Sequence, residues 1–302
     1  MRVRVSPPAH SMDFLYGQIT DNPPPLVVAP ESWPEYGRLA DPLGFCAREE
    51  VGTHPRGVRW SFWPLAFEEY VSDTEPNLAD SAQGELARNR VFIWKRITRA
   101  AIPEGWREVS KKPWRIDGYH DLGTGGDYTA AWHKNARREA RLWREEHAAR
   151  YDIVEISLEE FIGAYRKSMT VKKAGADLLS VLVRMHALPA QKHIALWGVR
   201  NKQTGRIIAG TATITSPTHK SSVRYCPFML PEARHCYASI GLVDHWFAHA
   251  QKNGTQYLLF TCFWQPGDPK GWQGPAEFKS HFGLQYVAYP PELTRFVRGK
   301  IF

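Results

Sequence analysis

The chain has 302 residues, of which 39 are Lys or Arg and 31 are Asp or Glu, and its formal net charge is +8. This length allows one large domain or two ordinary domains with a buried core, and we expect two. The basic excess suits polyanionic partners such as RNA, nucleotide phosphates or an anionic membrane surface, although a solvated basic surface explains it equally well. No apolar run reaches the ~18 residues of a membrane span, and the start lacks the apolar core of a signal peptide. We therefore expect a cytoplasmic protein without an integral membrane segment.

The cysteines give no sign of cross-linking or of metal binding. None forms a C-x-x-C pair, and each lies among apolar or aromatic neighbours, as reduced thiols in the core of a cytosolic protein do. We expect neither a disulfide nor a zinc site, and no cofactor. The four are Cys46, Cys226, Cys236 and Cys262.

The first 58 residues are rich in proline, with the run Pro23–Pro25 and several glycines. Such a composition predicts a segment that wraps a surface without regular elements. Residues 1–11 resemble the translation of the T-arm and 3′ end of a tRNA gene, so Met12 is predicted to be the true start. A first domain is expected over residues 59–150, with a strand at Arg90–Thr98 indicated by β-branched and aromatic residues.

The first domain ends in a predicted helix from about Tyr128 to Ala149, which follows a glycine-rich turn. At ~100° per residue its basic side chains fall within one arc, nearly opposite Trp132, Ala136 and Trp143. This cationic stripe suits contact with phosphate or RNA, and a solvated helix face is the other interpretation. The stripe comprises Lys134, Arg137, Arg138, Arg141 and Arg144.

Residues 151–302 predict a second domain with the element order α-α-β-β-β-α-β-α-β-β. Ser157–Glu160 has the form of a capping box that begins a helix, and Asn253-Gly254 ends a helix of ~17 residues. The other expected elements are a helix at 174–187, strands at 193–200, 206–215, 221–230, 256–262, 285–289 and 294–298, and a short helix at 275–282.

This order is similar to the Gcn5-related N-acyltransferase (GNAT) fold, a mixed α/β fold whose sheet splays open for an acyl donor. Three segments resemble the Fem-type (FemABX) aminoacyltransferases more closely: the basic helix at 132–141, the helix that ends at Gly254, and the Phe-Lys…Phe-Gly segment at 278–283. The resemblance implies two tandem GNAT-like domains, of which the first is degenerate here. It also implies transfer of an amino acid from aminoacyl-tRNA to the peptide of a peptidoglycan precursor, nucleotide-linked or lipid-linked.

The resemblance implies a donor-side role for Phe278 and Lys279. Lys279, the candidate catalytic residue, would place a positive charge beside the ester carbonyl or the terminal phosphate, and Phe278 would stack on the terminal adenine. Without the resemblance, Phe278 is interpreted as a core residue and Lys279 as a solvated residue of the helix.

Further substrate contacts are expected from the loop before this short helix and from the basic stripe. Aromatic groups mixed with a cation suit a cleft rim, although tryptophans also pin surface loops. Arginine forks on the stripe match the diphosphate of a cell-wall precursor. The loop candidates are Trp264, Lys270, Trp272 and Gln273, and the stripe candidates are Lys134, Arg137, Arg138 and Arg141.

Parts of the sequence also have the features of three other functions. A coenzyme A-dependent GNAT acyltransferase is disfavoured, because no glycine pair lies between Met229 and Gly241 to cradle a pyrophosphate at a helix start. A non-catalytic RNA-binding protein would use the same basic helix, but no recognised RNA-binding motif is visible. His245 and His249 have the i, i+4 spacing of zinc ligands but lack the glutamate of hydrolytic motifs, so a helix face is the better interpretation.

Overall fold

A computed structural model of the chain describes residues 19–20, 24, 48–51, 57–62, 65–78, 89–123, 125–168, 177–187 and 192–299. In chain order the strands are β1 (Ile19–Thr20), β2 (Arg48–Val51), β3 (Gly57–Phe62), β4 (Leu65–Ser72), β5 (Asn89–Arg96), β6 (Arg107–Glu108), β7 (Ile116–Asp121), β8 (Tyr151–Glu155), β9 (Ile194–Asn201), β10 (Ile207–Ser216), β11 (Ser221–Met229), β12 (Tyr257–Phe260), β13 (Gln285–Ala288) and β14 (Leu293–Val297). The α-helices are α1 (Lys134–Leu142), α2 (Leu158–Lys167), α3 (Asp177–Ala187), α4 (Ala238–Lys252) and α5 (Gln273–Ser280).

The described strands form two mixed sheets. The larger has eight strands in the order β1-β13-β7-β12-β11-β10-β9-β8, and the smaller has six in the order β2-β3-β4-β5-β14-β6. Helices α2 and α3 pack Phe161, Tyr165 and Leu182 onto one face of the larger sheet. Helices α1, α4 and α5 cover the opposite face, where Phe247 of α4 and Phe260 of β12 share a core.

The two sheets exchange strands across the predicted domain boundary at residue 150. β7 precedes this boundary, but it lies between β12 and β13 and is antiparallel to both. β14 comes from the C-terminal end, but it lies between β5 and β6 of the smaller sheet. Each half of the chain therefore contributes a strand to the sheet of the other half.

The element order predicted for residues 151–302 is confirmed, with β8 as an addition at its start. The capping box at Ser157 is present, since its hydroxyl accepts from the N–H of Glu160 and the Glu160 carboxylate accepts from the N–H of Ser157. Residues 174–176, where the second helix was expected to begin, lie outside the described residues. Cys46 and the predicted start at Met12 lie outside them as well.

Two predictions about the first 150 residues are wrong. The proline-rich segment was expected to lack regular elements, yet β1 pairs with β13, and β2 pairs with β3. The helix expected from Tyr128 to Ala149 is interrupted, because Trp132 and His133 are extended between a 3₁₀ turn at Tyr128–Ala131 and α1. After α1 the chain widens into a π-helical turn at Trp143–His147.

No described helix is long and apolar enough to cross a membrane.

Candidate active site

The parallel neighbours β11 and β12 separate along their length. They pair only over Ser221–Val223 and Tyr257–Leu259, yet β11 continues well beyond Val223. In that continuation Cys226 and Pro227 together lie opposite Thr211 of β10, which makes a bulge. A bulge bends its strand, and a proline offers no N–H for pairing. β11 therefore turns away from β12 and leaves an opening, which we call the β11–β12 opening.

Lys279 of α5 lies at the end of β12, where this opening begins. Its Nζ donates to the carbonyl oxygens of Thr261 at 2.6 Å and of Cys262 at 2.8 Å. Cys262 has a φ of +60°, a left-handed conformation that aims successive carbonyls at one ammonium group. An ammonium group has three N–H donors, and the third has no hydrogen-bond acceptor among the described residues, while Nζ also lies 4.6 Å from the centroid of the Phe263 ring.

Burial lowers the pKa of Lys279 to about 8, opposed by Cys262 and Asp117 and assisted by Arg224 and Arg115. The ammonium form still dominates at neutral pH, but its proton is more easily given up than that of a solvated lysine. A perturbed pKa in a cleft is typical of a functional group. Lys279 therefore has the position and the lowered pKa of a candidate donor of a proton or a hydrogen bond.

A strand from the first half of the chain holds this corner in place. Asp117 of β7 accepts the backbone N–H of Cys262 at 2.8 Å and pairs with Arg115 at 2.9 Å. Both side chains are buried, so the pair fixes the backbone turn on which Lys279 rests. The exchanged strand thus contributes to the site as well as to the sheet.

The Phe-Lys…Phe-Gly segment now has a physical explanation. Phe282 is fully buried and stacks on Phe260 at a centroid distance of 5.4 Å, and Phe278 packs against Phe282 at 5.2 Å. Gly283 has a φ of +63°, and a Cβ there would come within 2.6 Å of Ala131. The segment anchors the end of α5, and Lys279 is the member of it that this packing does not explain. Phe278 is half-buried beside the opening, so the core interpretation holds for part of its ring.

Arg224 is a site residue that the sequence did not single out. It follows the last paired residue of β11, and its Nε donates to Thr211 Oγ1 at 3.2 Å. Its guanidinium carbon is 5.8 Å from the centroid of Phe278. Burial lowers the pKa of Arg224 to about 10. The only available signal was an arginine among the apolar and aromatic residues that follow Ser221 and Ser222 in β11.

The loop candidates divide into two kinds. Trp264 is half-buried, and its Nε1 donates to the carbonyl oxygen of Asp268 at 3.1 Å, so it pins the loop. Asp268 also pairs with Lys112 of the first half at 2.8 Å. Three candidates are exposed and form a rim before and at the start of α5: Lys270, Trp272 and Gln273.

The cationic stripe of α1 is exposed, as its spacing predicted, while Ala136 and Ala140 face the core. Arg144 differs from the others, because it makes two hydrogen bonds to Asp244 of α4 and is a structural link. The start of α1 adjoins the end of α5, where the rings of His133 and His281 stack at 4.9 Å. The exposed members are Lys134, Arg137, Arg138 and Arg141.

The start of α4, where a GNAT enzyme would hold a pyrophosphate, is covered by this chain. A Cβ on Gly241 would overlap the ring of Trp143, and the rings of Tyr237 and His147 lie 5.8 Å apart. Tyr237, the N-cap, has a φ of +54° and no side-chain capping bond. The first turn of α4 therefore packs against the π-helical turn and offers no open cradle for a phosphate.

The cysteines and the His245–His249 pair lie outside this corner, except for Cys262. Cys226 and Cys236 are buried as expected, but the core prediction is wrong for Cys262, which is exposed at the end of β12. Its position follows from the left-handed turn that ends the strand. His245 and His249 flank Trp197 at centroid distances of 4.4 and 5.0 Å. No group of three or more metal-ligating side chains occurs among the residues that the structure describes.

Comparison with known structures shows that this is a GNAT-like fold of the Fem type. The chain is similar to FemX with a TM-score of 0.61 and 10% identity, over 89% of this chain and 94% of that one. It is also similar to L-PGS from Bacillus licheniformis, with a TM-score of 0.53 and 11% identity over 86% of each chain. A conserved protein of unknown function from Bacteroides thetaiotaomicron has a TM-score of 0.54 at 11% identity, over 89% of this chain and 90% of that one.

No protein-family model and no curated protein matches the sequence significantly. The structural comparison confirms the resemblance to the Fem-type aminoacyltransferases at the level of the fold, which was predicted from the element order.

Proposed function

We propose that this protein is an aminoacyltransferase of the cytoplasm, which moves an amino acid from aminoacyl-tRNA to the peptide of a nucleotide-linked or lipid-linked peptidoglycan precursor. The observation that carries the proposal is the β11–β12 opening with Lys279 at its base, in a fold similar to that of FemX. The covered start of α4 supports a donor other than coenzyme A.

The reaction is attack of an amine on an ester carbonyl, so the site must bring the two substrates together and stabilise an oxyanion. The third N–H of Lys279 is available to the carbonyl oxygen of the ester as negative charge develops on it. As the C–O bond of the ester breaks, the same ammonium can protonate the leaving ribose oxygen, and the proton that the attacking amine loses on forming the C–N bond returns to Lys279. A pKa of about 8 suits both transfers near neutral pH. No covalent nucleophile is needed.

The exposed candidates serve binding in this proposal. Trp272 and Lys270 on the rim would contact the end of the tRNA, and the half-buried ring of Phe278 would stack on its terminal adenine. The stripe on α1 offers guanidinium forks to the diphosphate of the precursor. The two tandem GNAT-like domains, at about 59–150 and 151–302, remain a proposal for how the chain is divided.

The decisive experiment incubates the protein with a pool of charged tRNAs and either a nucleotide-linked or a lipid-linked muropeptide, and looks by mass spectrometry for addition of an amino acid. Lys279→Ala is expected to lose the product while its thermal unfolding stays cooperative. Lys167→Ala is the matched control, because that lysine is exposed at the end of α2 on the opposite face of the sheet. Absence of product with every tRNA tested and both precursor types would contradict the proposal.

RNA binding without transfer is the second candidate, favoured by the exposed stripe on α1 and the exposed ring of Trp272. Salt-dependent binding of uncharged and charged tRNA alike, with no modified precursor, would support it.

A further inference from the structure

Arg224 combines partial burial with the lack of an anionic partner. Its side chain lies on the face of β11 covered by α4 and α5, because Ser222, two residues before it, accepts the indole N–H of Trp246 of α4 at 3.0 Å. Its charge is taken out of bulk water, which is the cause of its lowered pKa. Among the described residues, no carboxylate lies within 4.0 Å of its guanidinium group.

The guanidinium group is positioned but not saturated. Nε is engaged by Thr211 Oγ1, which fixes the plane of the fork. Nη1 and Nη2 make no hydrogen bond with the described residues, and neither is a buried atom without a partner. Both therefore keep contact with solvent, in a guanidinium group that lies over the ring of Phe278.

A partly buried cation without a partner costs free energy in the unliganded protein, and an anion that enters the opening offsets that cost. Lys279 is less suited to bind this anion, because two of its three donors are held by Thr261 and Cys262. An arginine fork also matches the two oxygens of a carboxylate or a phosphate, which an ammonium group does not.

We infer that Arg224 is the anion-binding residue of the β11–β12 opening and holds a carboxylate or phosphate oxyanion of a substrate. Phe278 borders the same space, so the bound oxyanion lies beside an aromatic wall and within the field of Lys279. This inference rests on the proposed function, in that the anion belongs to one of the two substrates of transfer. Arg224 then fixes the position of that substrate relative to Lys279.

Isothermal titration calorimetry with two pairs of probes tests the assignment and distinguishes the two sources of the anion. The first pair is a muropeptide with a free C-terminal carboxylate and its C-terminal amide. The second pair is a stable 3′-aminoacylamino-3′-deoxyadenosine with and without a 5′-phosphate. One charged probe is expected to bind about 10- to 100-fold more tightly than its uncharged counterpart, the range for a charge-assisted hydrogen-bonded pair.

Variants assign the discrimination to the residue. Arg224→Ala should reduce the ratio within that pair to about two-fold or less, and Arg224→Lys, which keeps the charge without the fork, should give an intermediate ratio. Arg166→Ala is the matched control, since Arg166 is exposed on α2, on the other face of the sheet, and should keep the full ratio. Cooperative thermal unfolding of each variant shows that the fold is retained.

The inference is overturned if the wild-type protein discriminates within neither pair, or if Arg224→Ala keeps the discrimination. These outcomes do not depend on transfer. Discrimination that requires Arg224, in a protein that adds no amino acid to any precursor, would uphold the anion site and reject the aminoacyltransferase.

Discussion

The molecule carries two groups of cationic side chains, which differ in their exposure to water. Lys279 and Arg224 line the β11–β12 opening, and burial lowers the pKa of each. The stripe on α1 is exposed to solvent. Charges withdrawn from water interact strongly and are little screened by salt, whereas exposed charges are screened within about 10 Å at ordinary ionic strength. In the proposed function, the opening therefore determines the chemistry and the stripe determines the encounter with the substrate.

Removal of the Lys279 side chain is the strongest test of this difference between the opening and the stripe. Lys279→Ala should lower kcat for transfer by about 10²- to 10³-fold, as loss of one preorganised donor to an oxyanion does, with KM nearly unchanged. Steady-state kinetics with a single charged tRNA measures both constants. A variant that raises KM and leaves kcat intact would place Lys279 in binding instead.

Neutralising the stripe should have the opposite kinetic signature. Replacement of Arg137, Arg138 and Arg141 by glutamine should raise KM for the polyanionic substrate by about 10-fold at low salt and flatten its salt dependence, because fewer counterions are released. Glutamine in place of Arg144 is unsuitable as a control, since Arg144 binds Asp244. Arg166→Gln on the far face of the sheet serves that purpose. An unchanged salt slope would show that the stripe is only a solvated surface.

The pH dependence of transfer tests whether the lowered pKa of the buried Lys279 governs the reaction. The ammonium form of Lys279 is the donor, and the pKa of Lys279 is about 8, so kcat should fall as pH rises through about 8. Between pH 8 and 10.5 the unfolded chain binds more protons at this lysine than the folded protein does, so its contribution to the free energy of unfolding increases with pH there. Lys279→Arg should retain some activity without this decline, because a guanidinium group stays charged. A flat profile for the wild type would reject the donor role.

The smallest effect is expected in stability. Arg224→Met removes a partly buried cation that has no anionic partner among the described residues, and should raise the free energy of unfolding by about 1 kcal/mol. Arg144→Met breaks an ion pair with Asp244, whose side chain is largely buried, and should lower that free energy by about 1–3 kcal/mol. Urea denaturation of the two variants measures whether the free energy of unfolding rises or falls in each. A loss of stability in both would mean that Arg224 is held by the fold rather than reserved for a ligand.

The sequence predicted the second half well, because its elements begin and end at local signals. The hydroxyl of Ser157, the proline at the start of the short helix and the glycines at 254 and 283 act within a few residues of their own position. The first half gave weaker signals. Its glycine-rich and proline-rich stretches predicted loops, while pairing with the distant β13 made a strand of Ile19–Thr20, and pairing with the adjacent β3 made a strand of Arg48–Val51.

The sequence alone determined the order of elements in the second half, the exposed basic face of α1 and the position of Lys279 on a short helix that ends in Phe-Gly. Only the tertiary structure decided that β7 and β14 change places between the sheets, that the bulge at Cys226 and Pro227 parts β11 from β12, and that Arg224 faces the space between them. The reason is physical: caps and periodicities are local, whereas strand pairing, burial and the missing partner of a charge depend on residues far apart in the chain.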